Sequence, residues 1–407
     1  MRMQPLELDR EADTYLGLHD LLDESTVDQS LTEREKTLRH VARGVVAREV
    51  APRAPELDRE GKFAHESYQA LASAGLGGLV FPEELGGTGD STVAYAVVME
   101  EIAAACGATS LVFMTQTHAA YPILVAGSEP VRRQYIPPLL SGSAYGSMAI
   151  TEPDAGSDVS GLRTTAVPQG DGYRLNGTKT FITTADRADV IVCFATTDRT
   201  SRRSGVSAFV VEASWPGVTH GSPFGKLGMH GSSTAELFFD DVAVPASNRL
   251  GDEGAGWSIV LRSVIKSRIS AAAQGVGIAR GAYARTLAVL RRIHGSRVPA
   301  DVLHELAGWR SRIAQGRLLL HAVARQVDAD PDTSPGRIGL MKQACTDLGW
   351  DVALGATALL GPYGDLALLG VERCLRDARV TRIYDGTNEI QRLLISREIA
   401  NVIKEMP

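Results

Sequence analysis

The spacing of hydrophobic residues changes twice along this 407-residue chain, and that change constrains the fold more than any other feature. Up to about residue 141 apolar residues recur at helical spacing. Between 148 and about 254 the period shortens towards two, and from 257 it lengthens again into long helical runs. Blocks of helix, strand and helix make segregated layers, so an α+β fold is expected. At ordinary domain sizes 407 residues make two or three domains. The expected order is an N-terminal extension (1–29), a helical domain (30–146), a middle antiparallel β domain, barrel or sandwich (147–255), and a C-terminal four-helix bundle (256–407).

Local signals fill in these blocks. Thr32, with Glu35 at the third position after it, resembles a helix N-cap ahead of Leu38, Val41, Val45 and Val46. A second helix is expected over 65–74, stopped by Gly75, then a loop at 81–87. A long apolar-faced helix is expected over 94–105, and another over 129–140 interrupted by Pro137-Pro138. Residues 190–194, 206–211 and 235–239 read as strands, with turns at Asp171-Gly172 and Asn176-Gly177. The last block is expected to hold helices over 257–292, 301–327, 336–360 and 388–404. In the last of these Ile390, Leu393, Leu394 and Val402 share a face.

Charge and cysteine usage narrow the function. Lys+Arg 42 against Asp+Glu 48 leaves a net charge of −6, which argues against nucleic acid or a membrane surface as partner. No run approaches 18 apolar residues, the length of a membrane span. Cys106, Cys193, Cys345 and Cys374 are scattered without a C-x-x-C pair. A disulfide framework or metal site is therefore not expected, and buried thiols in a reducing cytoplasm are. The acid-rich start of the chain does not read as a targeting segment.

Three segments carry chemistry. Thr151-Glu152-Pro153-Asp154-Ala155-Gly156-Ser157-Asp158 follows the strand-like Met148, Ala149 and Ile150 with hydroxyls and flexible backbone that suit an anion. Asn176-Gly177-Thr178-Lys179-Thr180-Phe181-Ile182-Thr183 reads as a hairpin turn feeding a strand, with an aromatic ring and a hydroxyl two residues apart on one face. Ile383-Tyr384-Asp385-Gly386-Thr387-Asn388-Glu389-Ile390 sets a carboxylate before a glycine turn and a helix. Each alone is compatible with a plain turn, a core phenylalanine or a cap.

Together and in this order, over roughly residues 31–404, the three segments resemble the acyl-CoA dehydrogenase family. The resemblance implies a helix/β/helix subunit with one FAD, assembled as a homotetramer built as a dimer of dimers. It implies removal of two hydrogens from Cα and Cβ of an acyl thioester, with an electron-transfer flavoprotein or similar acceptor taking the electrons. Carried over position by position, it puts Thr151 at the flavin ring edge and the main chain from Met148 through Ile150 and Gly156 to Ser157 along the flavin. Phe181 lies against the isoalloxazine and the Thr183 hydroxyl beside flavin N5. Thr387, Asn388 and Glu389 hold the adenosine half. Arg291, with His294 in the same motif, reaches the FAD pyrophosphate of a neighbouring subunit. Ser157, Arg268 and Gly386 meet the substrate. Asp385 is the base, with its own backbone N–H polarising the thioester carbonyl.

Some positions depart from the family pattern. Asp385 stands where the family has glutamate, shortening its reach by roughly 1.3–1.5 Å. A γ-proton of an unsaturated chain is therefore a second target beside the α-proton. Ser267, at the family's alternative base position, cannot replace it. Ala358 and Pro362 replace a glutamine and a glycine near FAD. Ile265 replaces an acid among the CoA contacts, which opens the way to an acyl carrier protein as donor. The basic loop of Arg199, Arg202 and Arg203 could meet a CoA phosphate, an acidic carrier helix, or only solvent. Two other functions compete: a flavin-dependent monooxygenase on the same fold, which needs no base, and a non-catalytic or nucleic-acid-binding member, against which the net charge weighs.

Overall fold

Thr32 opens the first long helix with both bonds of a capping box. Its hydroxyl accepts from the N–H of Glu35, and the Glu35 carboxylate accepts from the N–H of Thr32 at 2.8 Å. The computed structural model describes residues 25–330 and 332–406. Its first block comprises α1 (Glu33–Val45), α2 (Ala54–Glu60), α3 (His65–Ser73), α4 (Thr92–Ala105), α5 (Gly107–Ala126) and α6 (Glu129–Ser141). Of the expected extension, residues 1–24 lie outside the described residues. Residues 25–28 form a helical turn that is docked, not loose: Val27 is buried and Asp28 pairs with Arg39 at 2.6 Å.

Two expectations in this block are corrected. Nothing in the sequence marked α5 as a helix of its own. It is buried over most of its length and carries no polar stripe whose period could be read, whereas α4, buried throughout, is the apolar helix expected over 94–105. Pro137 and Pro138 do not interrupt α6. The carbonyls they free, those of Arg133 and Gln134, belong to exposed residues that water can reach, and the buried Leu139 and Leu140 hold the last turn in place.

The middle block is an eight-stranded sheet: β1 (Gly146–Ala149), β2 (Thr165–Gln169), β3 (Gly172–Thr183), β4 (Val190–Thr196), β5 (Val206–Glu212), β6 (Val218–His220), β7 (Thr234–Pro245) and β8 (Arg249–Leu250). Their order is β6-β7-β3-β2-β4-β5-β8, with β1 beside β4. Most pairings are antiparallel; β1 on β4 and the start of β2 on β4 are parallel. Asn176-Gly177 is not a turn. It lies inside β3 at a bulge against β7, where a Cβ on Gly177 would come within 2.4 Å of the Thr164 hydroxyl, so glycine answers a close approach.

The last block comprises α7 (Gly256–His294), α8 (Ala300–Ala329), α9 (Pro335–Leu360), α10 (Val371–Thr381) and α11 (Asn388–Glu405). α7 is the spine: it packs on α4 and α5 on one side and on α8, α9 and α10 on the other. α10 was not expected as a separate helix. α11 buries Asn388 and Gln391, while Leu393, Ile399, Val402 and Ile403 are exposed. The four cysteines are free and buried. No described helix is long and apolar enough to cross a membrane, and no group of described residues could hold a metal ion.

Candidate active site

The turn after β1 is built around a buried ion pair. Lys179 donates to the Glu152 carboxylate at 2.8 Å and to the carbonyl of Ile150 at 2.9 Å, with both side chains almost wholly enclosed. The N–H groups of Arg163 and Thr164 donate to the same carboxylate at 2.6 and 3.0 Å. Burial pushes the Glu152 carboxyl up, but Lys179 and these donors outweigh it and hold it below the usual range. The turn therefore keeps Thr151 half-buried while Gly156 and Ser157 stay exposed. Neither Glu152 nor Lys179 announced this in the sequence, because they are 27 residues apart and meet only through the β1–β3 contact.

At the end of β3 the register with β7 shifts between Lys179 and Ile182. Phe181 takes a left-handed φ of 55° and Thr184 one of 66°, a rare backbone for a β-branched residue. This shift turns Phe181 out of the sheet. Phe181 is 68% exposed, and its ring lies 5.4 Å from that of Phe224 between centroids. Thr183 is half-buried and, with Phe181, faces away from the buried Ile182. Met148 and Ile150 pack in one apolar cluster with Ile259 and Val260 of α7, about 12 Å along that helix from Arg268.

Asp385 and Gly386 join α10 to α11 with left-handed φ values of 57° and 87°. Their carbonyls are held from three helices. Arg268 of α7 donates to the oxygen of Asp385 at 3.2 Å, and Gln391 of α11 donates to the oxygens of Asp385 and Gly386 at 3.3 and 2.8 Å. Lys342 of α9 donates to the oxygen of Gly386 at 3.0 Å and to the Asn388 side chain at 2.9 Å. The turn is fixed through its backbone, and the carboxylate is left over: Asp385 Oδ2 is buried with no hydrogen-bond partner. The N–H of Asp385 likewise donates to no described residue. Burial pulls the Lys342 ammonium down to about 8 and the Arg268 guanidinium down to about 10, with Asp385 opposing both. Both cations are bonded to main-chain oxygens of the turn, so Asp385 Oδ2 remains an acceptor without a partner. Lys342 and Gln391 were not singled out in the sequence; a buried lysine on an apolar helix was the signal.

The remaining expected residues lie further out. Thr387 caps α11, its side chain accepting from Ile390 N at 3.3 Å, and Glu389 is exposed beside it. Asn388 is buried and bonded to Lys342, Thr346 and Asp347, so its side chain is already spent within the protein. Arg291 is exposed and His294 half-buried at the far end of α7, about 35 Å along the axis from Arg268. Ser267 is buried and donates to Val264 O at 3.1 Å. In the basic loop, Arg202 pairs with Asp158 at 3.0 Å and Arg203 lies 4.8 Å over the Trp257 ring.

These residues fit a flavin. The exposed Phe181, held outward by its left-handed backbone beside the half-buried Phe224, offers a stacking face for a planar ring. The Thr151 and Thr183 hydroxyls make no hydrogen bond to a described residue, so both are free to donate to its edge.

Comparison with known proteins finds one family from residue 32 to residue 400. Residues 32–143 match the acyl-CoA dehydrogenase N-terminal domain, 147–242 the middle domain and 254–400 the C-terminal domain. An acyl-CoA dehydrogenase of Bacillus subtilis is 38% identical over 90% of this chain and 98% of its own. The structure of butyryl-CoA dehydrogenase from Megasphaera elsdenii superposes with a TM-score of 0.86 at 32% identity, covering 91% of this chain and 99% of that one. The structure of the prolyl acyl carrier protein oxidase AnaB superposes at 0.85 with 27% identity, covering 91% and 99%.

Proposed function

The chain belongs to the acyl-CoA dehydrogenase family, and from that premise we propose that Asp385 is the base that starts its reaction. The protein is an FAD-dependent oxidoreductase acting on the CH–CH group of an acyl thioester. The single observation that carries the assignment of the base is the buried, unpartnered Oδ2 of Asp385 on a turn pinned by Arg268, Lys342 and Gln391. In this reading Met148, Ile150, Thr151, Gly156, Ser157, Phe181 and Thr183 hold the flavin end of FAD, and Thr387 and Glu389 its adenosine end.

Bound FAD supplies the acceptor for the hydride that leaves the substrate. The protein's own part is positioning and proton transfer. The free N–H of Asp385 donates to the thioester carbonyl and stabilises the charge that builds there. Oδ2 takes the proton from Cα, or from Cγ of a chain already unsaturated. Gly386 allows the turn its left-handed path, where a Cβ would come within 2.8 Å of Gln391 Nε2. Arg268 braces the turn from behind and, with Ser157 and Gly386, borders the thioester. The monooxygenase reading leaves this braced carboxylate without a task and is not favoured by the relatives.

The donor is an acyl-CoA or an acyl carrier protein thioester; a prolyl carrier protein oxidase of the same fold supports the second option. Electrons then pass to an electron-transfer flavoprotein or similar acceptor. The exposed apolar residues of α11 support a homo-oligomer, a dimer of dimers. So does the position of Arg291 and His294, too far along α7 to serve the same turn as Arg268 and suited to a neighbour's FAD. The test is anaerobic mixing of the FAD-loaded protein with acyl-CoA and acyl-carrier thioesters. Loss of the yellow colour supports the reading. Reduction only by a separate reductase, followed by oxygen uptake, overturns it.

A further inference from the structure

The loop between β6 and β7, residues 221–233, carries a histidine whose two ring nitrogens both face acceptors. His230 Nδ1 lies 3.0 Å from the carbonyl oxygen of Asp58 on α2 and 3.1 Å from Asp58 Oδ1, and Nε2 lies 2.8 Å from the carbonyl oxygen of Lys226. Burial pushes the Asp58 carboxyl up, but the bonds and charge of Arg376, with the charges of Arg373 and His230, outweigh it and hold it below the usual range. A carbonyl oxygen can only accept, and a neutral imidazole has one N–H. Neither neutral tautomer therefore serves both sides of the ring. The doubly protonated ring serves both and sets its charge against Asp58.

This ring ties three blocks of the chain together. Asp58 belongs to the N-terminal block, and its two carboxylate oxygens also accept from Arg376 of α10 at 2.9 and 2.6 Å. Arg376 is held in turn by Glu372 at 2.5 Å. The same loop donates the N–H of Met229 to Asp377 of α10 and accepts from the N–H of Ala64 at the oxygen of Gly231, at 2.9 Å. Of the other charges around it, Lys226 donates to the oxygen of Ser232 at 2.6 Å, and Lys62 is paired with Glu56 and Glu60. Elsewhere the loop meets the strand assigned to the flavin. Phe224 lies against Phe181, its N–H donates to the oxygen of Thr234 at 2.8 Å, and the N–H of Thr184 donates to the oxygen of Ser233 at 3.0 Å. α10 ends at Thr381, four residues before Asp385. The clamp thus joins the strand that bears Phe181 and Thr183 to the helix that precedes the base. Loss of one ring proton sets a lone pair against a carbonyl oxygen and opens one side of the clamp.

Building on the assignment of β3 to the flavin and of Asp385 as base, we propose that His230 is a positioning residue. Doubly protonated, it holds the β domain against α2 and α10, so that FAD is held tightly at low pH and less tightly as pH rises. The clamped state binds the second ring proton more firmly than the opened state, so its contribution is complete at low pH and is lost as the ring gives that proton up. The test is release of FAD from the diluted holoenzyme, followed by flavin fluorescence, from about pH 6 to about pH 8.5, across the usual histidine range. The expected result is release about tenfold faster at the upper end, the effect of one lost charged hydrogen bond. His230→Arg, charged and rich in donors throughout, should release slowly at every pH, and His230→Leu fast at every pH. Burial pushes Asp377, which faces this loop through Met229, up to about 6. The series is therefore repeated with Asp377→Asn, which still accepts that bond, and the dependence should persist. Release that does not change with pH in the wild type, a dependence that survives in both His230 variants, or one that vanishes with Asp377→Asn overturns the clamp. The base assignment then still stands, because release needs no proton transfer by Asp385. Purified protein that holds no FAD overturns the cofactor reading and the clamp together.

Discussion

Arg268 Nε donates to the main-chain oxygen of Asp385 at 3.2 Å and leaves the carboxylate of that residue unpaired. An arginine beside a half-buried aspartate would ordinarily form an ion pair with it. Here the guanidinium braces the backbone, and Oδ2 of the acid is left without a partner.

Lys342 performs the same service one residue on, at the oxygen of Gly386. Lys342→Met should loosen the turn and lower the rate of flavin reduction by about ten- to a hundredfold, the effect of a base displaced by roughly 1 Å. FAD content should fall far less than the rate, because Lys342 bonds Gly386 and Asn388 beside the adenosine-end residues Thr387 and Glu389 but neither the Thr151 nor the Phe181 segment. Rapid-mixing absorbance with a matched FAD-to-protein ratio checks this.

Lys179→Met should leave the buried Glu152 carboxylate without its cation and cost about 3–5 kcal/mol of stability, with loss of FAD as the Thr151 turn slackens. Lys179→Met combined with Glu152→Gln should recover part of that loss. The amide removes the uncompensated charge but keeps an acceptor for only one of the Arg163 and Thr164 N–H groups, which bond different carboxylate oxygens. Denaturant melts of the three variants beside the wild type decide it.

Asp377 gives the pH dependence a sign. Burial pushes its carboxyl up to about 6, against the N–H of Met229 and the charge of Arg373. The folded state then holds this proton more tightly than the unfolded chain, so its contribution falls as pH rises from about 4 to about 6 and is lowest above that. Asp377→Asn still accepts from Met229. It should be more stable than wild type at pH 7.5, by up to about 3 kcal/mol, and should flatten that slope. Melting temperatures from pH 4 to 8 check it.

Local chemistry was the part of the fold that could be read in advance. The Thr32 cap, the Gly75 stop and the Asp385-Gly386 turn each rest on residues within a few positions of one another. α5 left no trace because a helix enclosed on all sides has no periodic face. Asn176-Gly177 misled because the same dipeptide that makes a tight turn also permits the Thr164 contact across the sheet. Within the site, the turn bearing Asp385 was legible, but its bracing was not. Arg268, Lys342 and Gln391 come from three helices up to 123 residues apart in sequence, and only the folded chain brings them to one pair of carbonyls.

The most direct measurement is anaerobic single-turnover reduction of Asp385→Asn beside the wild type, using a thioester that the wild type oxidises. The asparagine keeps the shape of the turn and its backbone bonds but cannot take a proton. The expected result is FAD bound as in the wild type, with bleaching slowed at least about a thousandfold. Bleaching at the wild-type rate would place the base elsewhere.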